Sequence, residues 1–121
     1  MHVESTMSDR LARYLDLASD EVKLTAGNMA NIDTPGYRAV GLDFEAEMKR
    51  ATSAGDAEAG AQPVHVRFED GLVARPDGNN VSMDRESLNL SEAQLRFRTG
   101  IALLRLQNQT TMDAIHADNG K

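Results

Sequence analysis

Apolar residues recur at alternating four- and three-residue steps near the start of this chain: Leu11, Leu15, Ala18, Val22, Thr25, Met29 and Ile32. That spacing marks one stripe of an α-helix, of the narrow kind that coiled coils use. Ser8 and Asp9 fit an N-cap and first turn, and Pro35 stands beyond the far end, so the spacing predicts a helix over 8–33, roughly 37 Å long at 1.5 Å per residue. A second stripe runs through Leu90, Ala93, Phe97, Ile101, Leu104, Asn108, Thr111 and Ile115, with Leu103 and Leu106 widening one flank. It predicts a helix over 83–115 with Ser82 as cap and Asp84 and Glu86 in the first turn.

Between them the pattern breaks down. Ser53 to Pro63 is small, polar and acidic, as a mobile loop would be. Val64-His65-Val66-Arg67-Phe68 alternates like a short strand, and Asp70-Gly71 and Asp77-Gly78 are turn dipeptides. The reading is a mainly α chain. An N-terminal helix and turn occupy 1–39, an irregular and partly disordered insertion with little β structure 40–80, and a C-terminal helix 81–121. Two narrow stripes without a third covering element can pack on each other as a coiled-coil-like hairpin or against neighbouring subunits, and the pattern favours the second.

The end of the first helix is the most specific stretch. Asn28-Met-Ala-Asn-Ile-Asp-Thr-Pro-Gly-Tyr37 ends in punctuating residues: Pro35 pushes Thr34 out of the helical region, Gly36 permits a left-handed turn, and Tyr37 follows as one of five aromatic residues in the chain. Asn79-Asn80-Val81 stands before the second helix, where asparagines suit turns and caps.

Composition narrows the function. In 121 residues, Leu, Ile, Val and Phe make up about a fifth, there are sixteen alanines and no Trp, and a deep core is not expected. A net charge of −6 argues against a nucleic-acid binder and against docking on an anionic membrane. Residues 41–80 carry eight acidic and four basic side chains, against five of each over 81–121. Cysteine is absent, which excludes disulfides and thiolate chemistry. No stretch is apolar enough to span a bilayer, and the first residues predict no cleavable signal peptide. Of His2, His65 and His116, only His65, near Glu69 and Asp70, is a metal candidate, and a solvated loop histidine is the simpler reading. No glycine-rich phosphate loop or acid–base constellation is present, so neither an enzyme nor a cofactor site is expected.

The two boxes together resemble the signature of the bacterial flagellar rod and hook proteins, Asn-x-Ala-Asn-x-x-Thr-x-Gly-Tyr/Phe followed by an Asn-rich junction that opens the C-terminal helix. Asp33-Thr-Pro-Gly-Tyr-Arg-Ala39 with Leu42-Asp43-Phe44-Glu45 is most similar to the proximal rod member. Ser82 departs from the Asp that relatives often carry there. The resemblance covers roughly 8–50 and 78–115.

It implies a structural subunit of the periplasmic rod that transmits torque and is exported without a cleaved leader by the flagellar type III apparatus. Implied partners are other rod proteins, the rod-base adaptor and the membrane-anchored MS ring. By matching position, Asn28, Ala30, Asn31, Thr34, Pro35, Gly36 and Tyr37 would fix the bend leaving the first helix, and Asn79, Asn80 and Val81 the start of the second. Leu11, Leu15, Val22, Met29, Leu90, Phe97, Ile101, Leu104 and Ile115 would form the helix interface. Another rod subunit and a small soluble coiled-coil adaptor stay open as alternatives.

Overall fold

The computed structural model describes residues 2–53 and 63–119. The chain forms three helices among these residues, α1 (His2–Ala30), α2 (Phe44–Ser53) and α3 (Met83–Asn119), with strands β1 (Val40–Gly41) and β2 (Arg67–Phe68). β1 and β2 pair antiparallel, Val40 opposite Phe68 and Gly41 opposite Arg67. The architecture is mainly α with little β structure, as the periodicity predicted. Most of the acidic loop expected over 53–63 lies outside the described residues.

α1 and α3 pack on each other as an antiparallel hairpin within one chain. Its register shows in contacts from end to end: Asn28 with Glu86, Glu21 with Arg96, and Ser8 with Gln107. Midway, Gly100 faces Tyr14 and Leu15 so closely that a Cβ there would stand 2.5 Å from Leu15 Cδ2 and 3.2 Å from Tyr14 Cδ1. The missing side chain sets how near the two helices come.

Several boundaries differ from the periodicity. α1 begins at His2, so Ser8 lies inside the helix, where it accepts a hydrogen bond from Gln107 Nε2 instead of capping. α1 stops at Ala30, three residues before Asp33, because Asn31 to Gly36 turn. Ser82 does cap α3, its Oγ accepting from Arg85 N at 3.4 Å, but α3 continues to Asn119. The expected strand over 64–68 shortens to Arg67–Phe68.

The middle contains an element that the sequence reading lacked. Asp43 caps α2, its Oδ1 accepting from Ala46 N at 3.1 Å, and Glu45 and Glu47 favour the first turn while Arg50 favours the last. Phe44, Met48 and Ala51, four and three apart, turn inward. The buried core is Leu17, Ala18 and Phe44, with Tyr14, Leu42, Met48 and Val64 packed around it. Tyr14 and Phe44 meet edge to face, ring centroids 5.1 Å apart, and the Arg96 guanidinium lies 4.4 Å from the Phe44 ring centre. Glu47 is buried beside Arg13, Arg50 and the backbone N–H of His65, tying α2 to α1.

α2 covers one flank of α1, and the side of α3 turned away from α1 stays uncovered. Of the two stripes, Leu11, Leu15, Val22, Met29, Leu90 and Ile101 are half-buried. Phe97, Leu104 and Ile115 are exposed, since one narrow helix cannot cover a wider apolar face.

Candidate functional site

The two asparagine-bearing stretches, whose first members Asn28 and Asn79 stand 51 positions apart, come together where α1 ends and α3 begins. The last carbonyls of a helix have no partner within it and must be satisfied from outside. In α1 the turn's own backbone meets that need, Asn31 N donating to Gly27 O and Asn28 O and Ile32 N to Met29 O, and Asn79, fully buried, satisfies the carbonyls of the turn that follows. Its Nδ2 donates to the carbonyl oxygens of Asn31 at 2.8 Å, Ile32 at 3.0 Å and Thr34 at 2.8 Å. Its Oδ1 accepts from Val81 N at 2.8 Å, which shapes the approach to α3.

Asn28, also fully buried, works in the same way from the opposite side. Its Nδ2 donates to Val40 O at 2.8 Å and to Glu86 Oε2 at 3.1 Å. Its Oδ1 accepts from Val40 N and from the Tyr37 hydroxyl, both at 3.0 Å. All four hydrogen-bonding positions of the amide are filled, so it reads the backbone of β1 like a neighbouring strand. Tyr37 is half-buried with its hydroxyl turned into this network.

The other motif residues complete the turn. Asn31 Nδ2 donates to Gly27 O at 2.8 Å, and its Oδ1 accepts from Thr34 Oγ1 at 3.0 Å. Asn80 Oδ1 accepts from Ala39 N at 2.7 Å, and Asn80 N donates to Tyr37 O. Gly36 sits at φ +74°, in the left-handed region, and its N–H donates to Asp77 O at 2.8 Å. Gly78, at φ +87°, lies against it: a Cβ there would stand 3.3 Å from Gly36 Cα. Val81 is buried, while Ala30 and Pro35 are exposed and hold their places through backbone geometry alone.

Four participants lie outside the predicted site residues, although Asp77-Gly78 reads as a turn and Glu86 as a first-turn residue of the second helix. Arg75 donates to Val81 O at 3.1 Å and also to Ile32 O, joining both helix ends. Asp77 Oδ1 accepts from Asn79 N at 3.0 Å. Gly78 provides the close approach, and Glu86 receives Asn28. The Asp77-Gly78 dipeptide was the signal for a turn here; nothing local showed that the turn closes on residues 31–36.

Beside the junction a shallow cleft runs between β1, the start of α2 and α3. Its charged side chains are largely paired: Glu21 with Arg96 at 2.8 Å, Asp43 with Arg67 at 3.8 Å, Glu69 with Arg85 at 4.0 Å. Burial pushes the Glu21 carboxyl up, with the Arg96 hydrogen bond and charge opposing. His65 contacts Arg50 and Glu47, whereas Glu69 turns toward Arg85 and Asn89. Among the described residues, no group of three or more His, Asp or Glu side chains is placed to hold a metal ion. Nor is any helix long and apolar enough to cross a membrane.

α3 carries a second apolar stripe. Leu88, Leu95 and Leu106 are 59%, 65% and 60% exposed. At 3.6 residues per turn they fall, with exposed Ala102, on the side turned away from buried Ala93 and Gly100. The stripe is about 27 Å long at 1.5 Å per residue.

No family model matches the chain. It is, however, 32% identical over 123 aligned positions to the flagellar basal body rod protein FlgB of Salmonella typhimurium, covering 87% of this chain and 89% of that one. It is 32% identical to the protein of that name from Cereibacter sphaeroides, covering 88% and 91%, and 28% identical to that of Escherichia coli, covering 87% and 89%. The helix–turn–helix junction thus belongs to a chain matched over nearly its whole length. By that likeness, this chain belongs to the FlgB family of flagellar basal body rod structural proteins.

Proposed function

We propose that this chain is built into the flagellar rod as a load-bearing subunit whose α3 presents its outward stripe to neighbouring subunits, while the asparagine junction holds the two helices at a fixed angle. The observation that carries this reading is the stripe of Leu88, Leu95 and Leu106, left bare on a helix whose opposite face is already covered by α1. Exposed leucines in register over five turns are what a partner helix requires. On the opposite side of the same helix, the exposed Phe97, Leu104 and Ile115 of the predicted interface offer a second apolar surface where α1 leaves them uncovered. Load suits the junction as well: a turn tied by side-chain amides to two helix ends transmits force without a flexible hinge.

Its neighbours in this reading are other rod proteins, and toward the rod base the adaptor and the membrane-anchored ring. Delivery is by the flagellar type III export apparatus. The role is structural, with no catalysis.

Leu95→Asp tests the proposal. Leu95 is exposed, so purified Leu95→Asp protein should keep its helical circular dichroism. Cells carrying it in place of the wild-type gene should lose swimming and yield basal bodies depleted of the subunit. Normal swimming would refute the role of the stripe. The intramolecular hairpin also favours a second reading, a soluble coiled-coil adaptor; a stable small oligomer with no requirement for it in basal bodies would select that alternative.

A further inference from the structure

Glu86 is the one junction residue whose chemistry the capping network does not require. It is fully buried at the first turns of α3, where glutamate almost never sits unless paired. Oε2 accepts from Asn28 Nδ2 at 3.1 Å; Oε1 is sealed from solvent and makes no hydrogen bond. The charged groups acting on it are few. α3 itself offers Arg85, but the Arg85 Nε lies 4.0 Å from Glu69 Oε2 and so is shared with that carboxylate. The stretch after β2 offers Glu69, a like charge whose own Oε2 is buried and makes no hydrogen bond. α1 offers the neutral amide of Asn28, whose Oδ1 in turn accepts from the Tyr37 hydroxyl. The partial positive charge of the α3 N-terminus is the remaining help.

An ionised carboxylate with one neutral hydrogen bond is poorly compensated, whereas a neutral carboxyl buries only a hydroxyl. We propose that Glu86 is a proton-operated latch: it binds a proton as the ends of α1 and α3 close around it, and the closed junction tightens as pH falls. Burial pushes the Glu86 carboxyl above the usual carboxylate range; the Asn28 bond opposes this, the Glu69 charge adds to it, and the Arg85 charge opposes it. Burial raises Glu69 in the same direction. A raised carboxyl contributes stability that is complete below the open-state value and lost as pH rises through the closed-state value. Between the two, one proton gives a limiting slope of about tenfold in the closing equilibrium per pH unit, flat on either side.

The experiment uses the whole chain and amide exchange at Val40, whose N–H is held by Asn28 Oδ1, corrected for intrinsic exchange from mildly acidic to neutral pH. Wild-type protection should fall as pH rises, by no more than the one-proton limit of about tenfold per unit. Glu86→Gln should remove the slope. A flat wild-type profile, or an unchanged slope in Glu86→Gln, would overturn the latch. Should Glu86→Gln fail to fold, Glu69→Gln serves: it removes the like charge, so the falling limb should move to lower pH, and an unmoved limb would count against the proposal. Titration of the Glu86 side-chain carbon by NMR must follow the same midpoint.

Discussion

Replacing Asn79 by alanine removes a side chain that donates to three carbonyls and accepts from one backbone N–H. The loss is smaller than four full bonds. Asn31 O still accepts from Thr34 N, Thr34 O from Tyr37 N, and Ile32 O from Arg75, so no carbonyl is stranded. At roughly 0.5–1.5 kcal/mol per net bond, two donated bonds and one accepted bond make about 3 kcal/mol. Asn79→Asp is the sharper probe. It keeps the shape and the acceptance from Val81, yet replaces the donor with an anionic oxygen facing three carbonyl oxygens. A buried charge against that array adds several kcal/mol to the loss. Urea unfolding followed by circular dichroism should therefore rank wild type above Asn79→Ala and Asn79→Ala above Asn79→Asp at neutral pH. The Asp variant should recover in acid, where a neutral carboxyl can donate once; its folded-state value is raised, so its stability is present at low pH and lost as pH rises. An Asp variant as stable as the Ala variant at neutral pH would refute the capping geometry.

Two further substitutions probe the backbone. Gly100→Val drives a branched side chain into Leu15 and Tyr14, so overpacking should outweigh the roughly 0.3–0.5 kcal/mol of helix propensity that valine gains over glycine and leave the chain about 1–3 kcal/mol less stable by urea unfolding; an unchanged midpoint would mean that the helices are not held this close. Gly36→Val places a β-branched residue at φ +74°, at a cost of about 1–3 kcal/mol, and should reduce protection of the amide at position 36 and of the Asn80 amide before it disturbs α2. Equal loss of protection throughout the chain would contradict a local effect.

What the sequence disclosed followed from periodicity and from punctuation. Both long helices could be read because their stripes persist over many turns, and the junction because Asn, Pro and Gly have few alternative uses in such an arrangement. α2 was legible in principle: Asp43 before Phe44, Met48 and Ala51 is a capped helical pattern. It was hidden by a charged composition, since Glu47 and Arg50 suggest a solvated segment, whereas Glu47 is in fact buried against Arg13. Leu88 and Leu95 escape the periodicity because it marks one stripe per helix, and they lie on the opposite side. The contacts of Arg75 with Ile32 and of the Asp77 carbonyl with Gly36 reach too far along the chain for local rules to find, and a glycine within a helix, as at Gly100, looks like a defect until its neighbour is known.

The hydrogen bonds from Asn79 span 45 to 48 residues. Closing a loop of that size costs about 3 kcal/mol in chain entropy, as much as the cap itself contributes. The junction therefore has almost no stability of its own and forms only when the pairing of α1 with α3 has already brought its halves together. Folding of the bend and docking of the helices are one cooperative event, and a subunit with its helices apart has no bend to present.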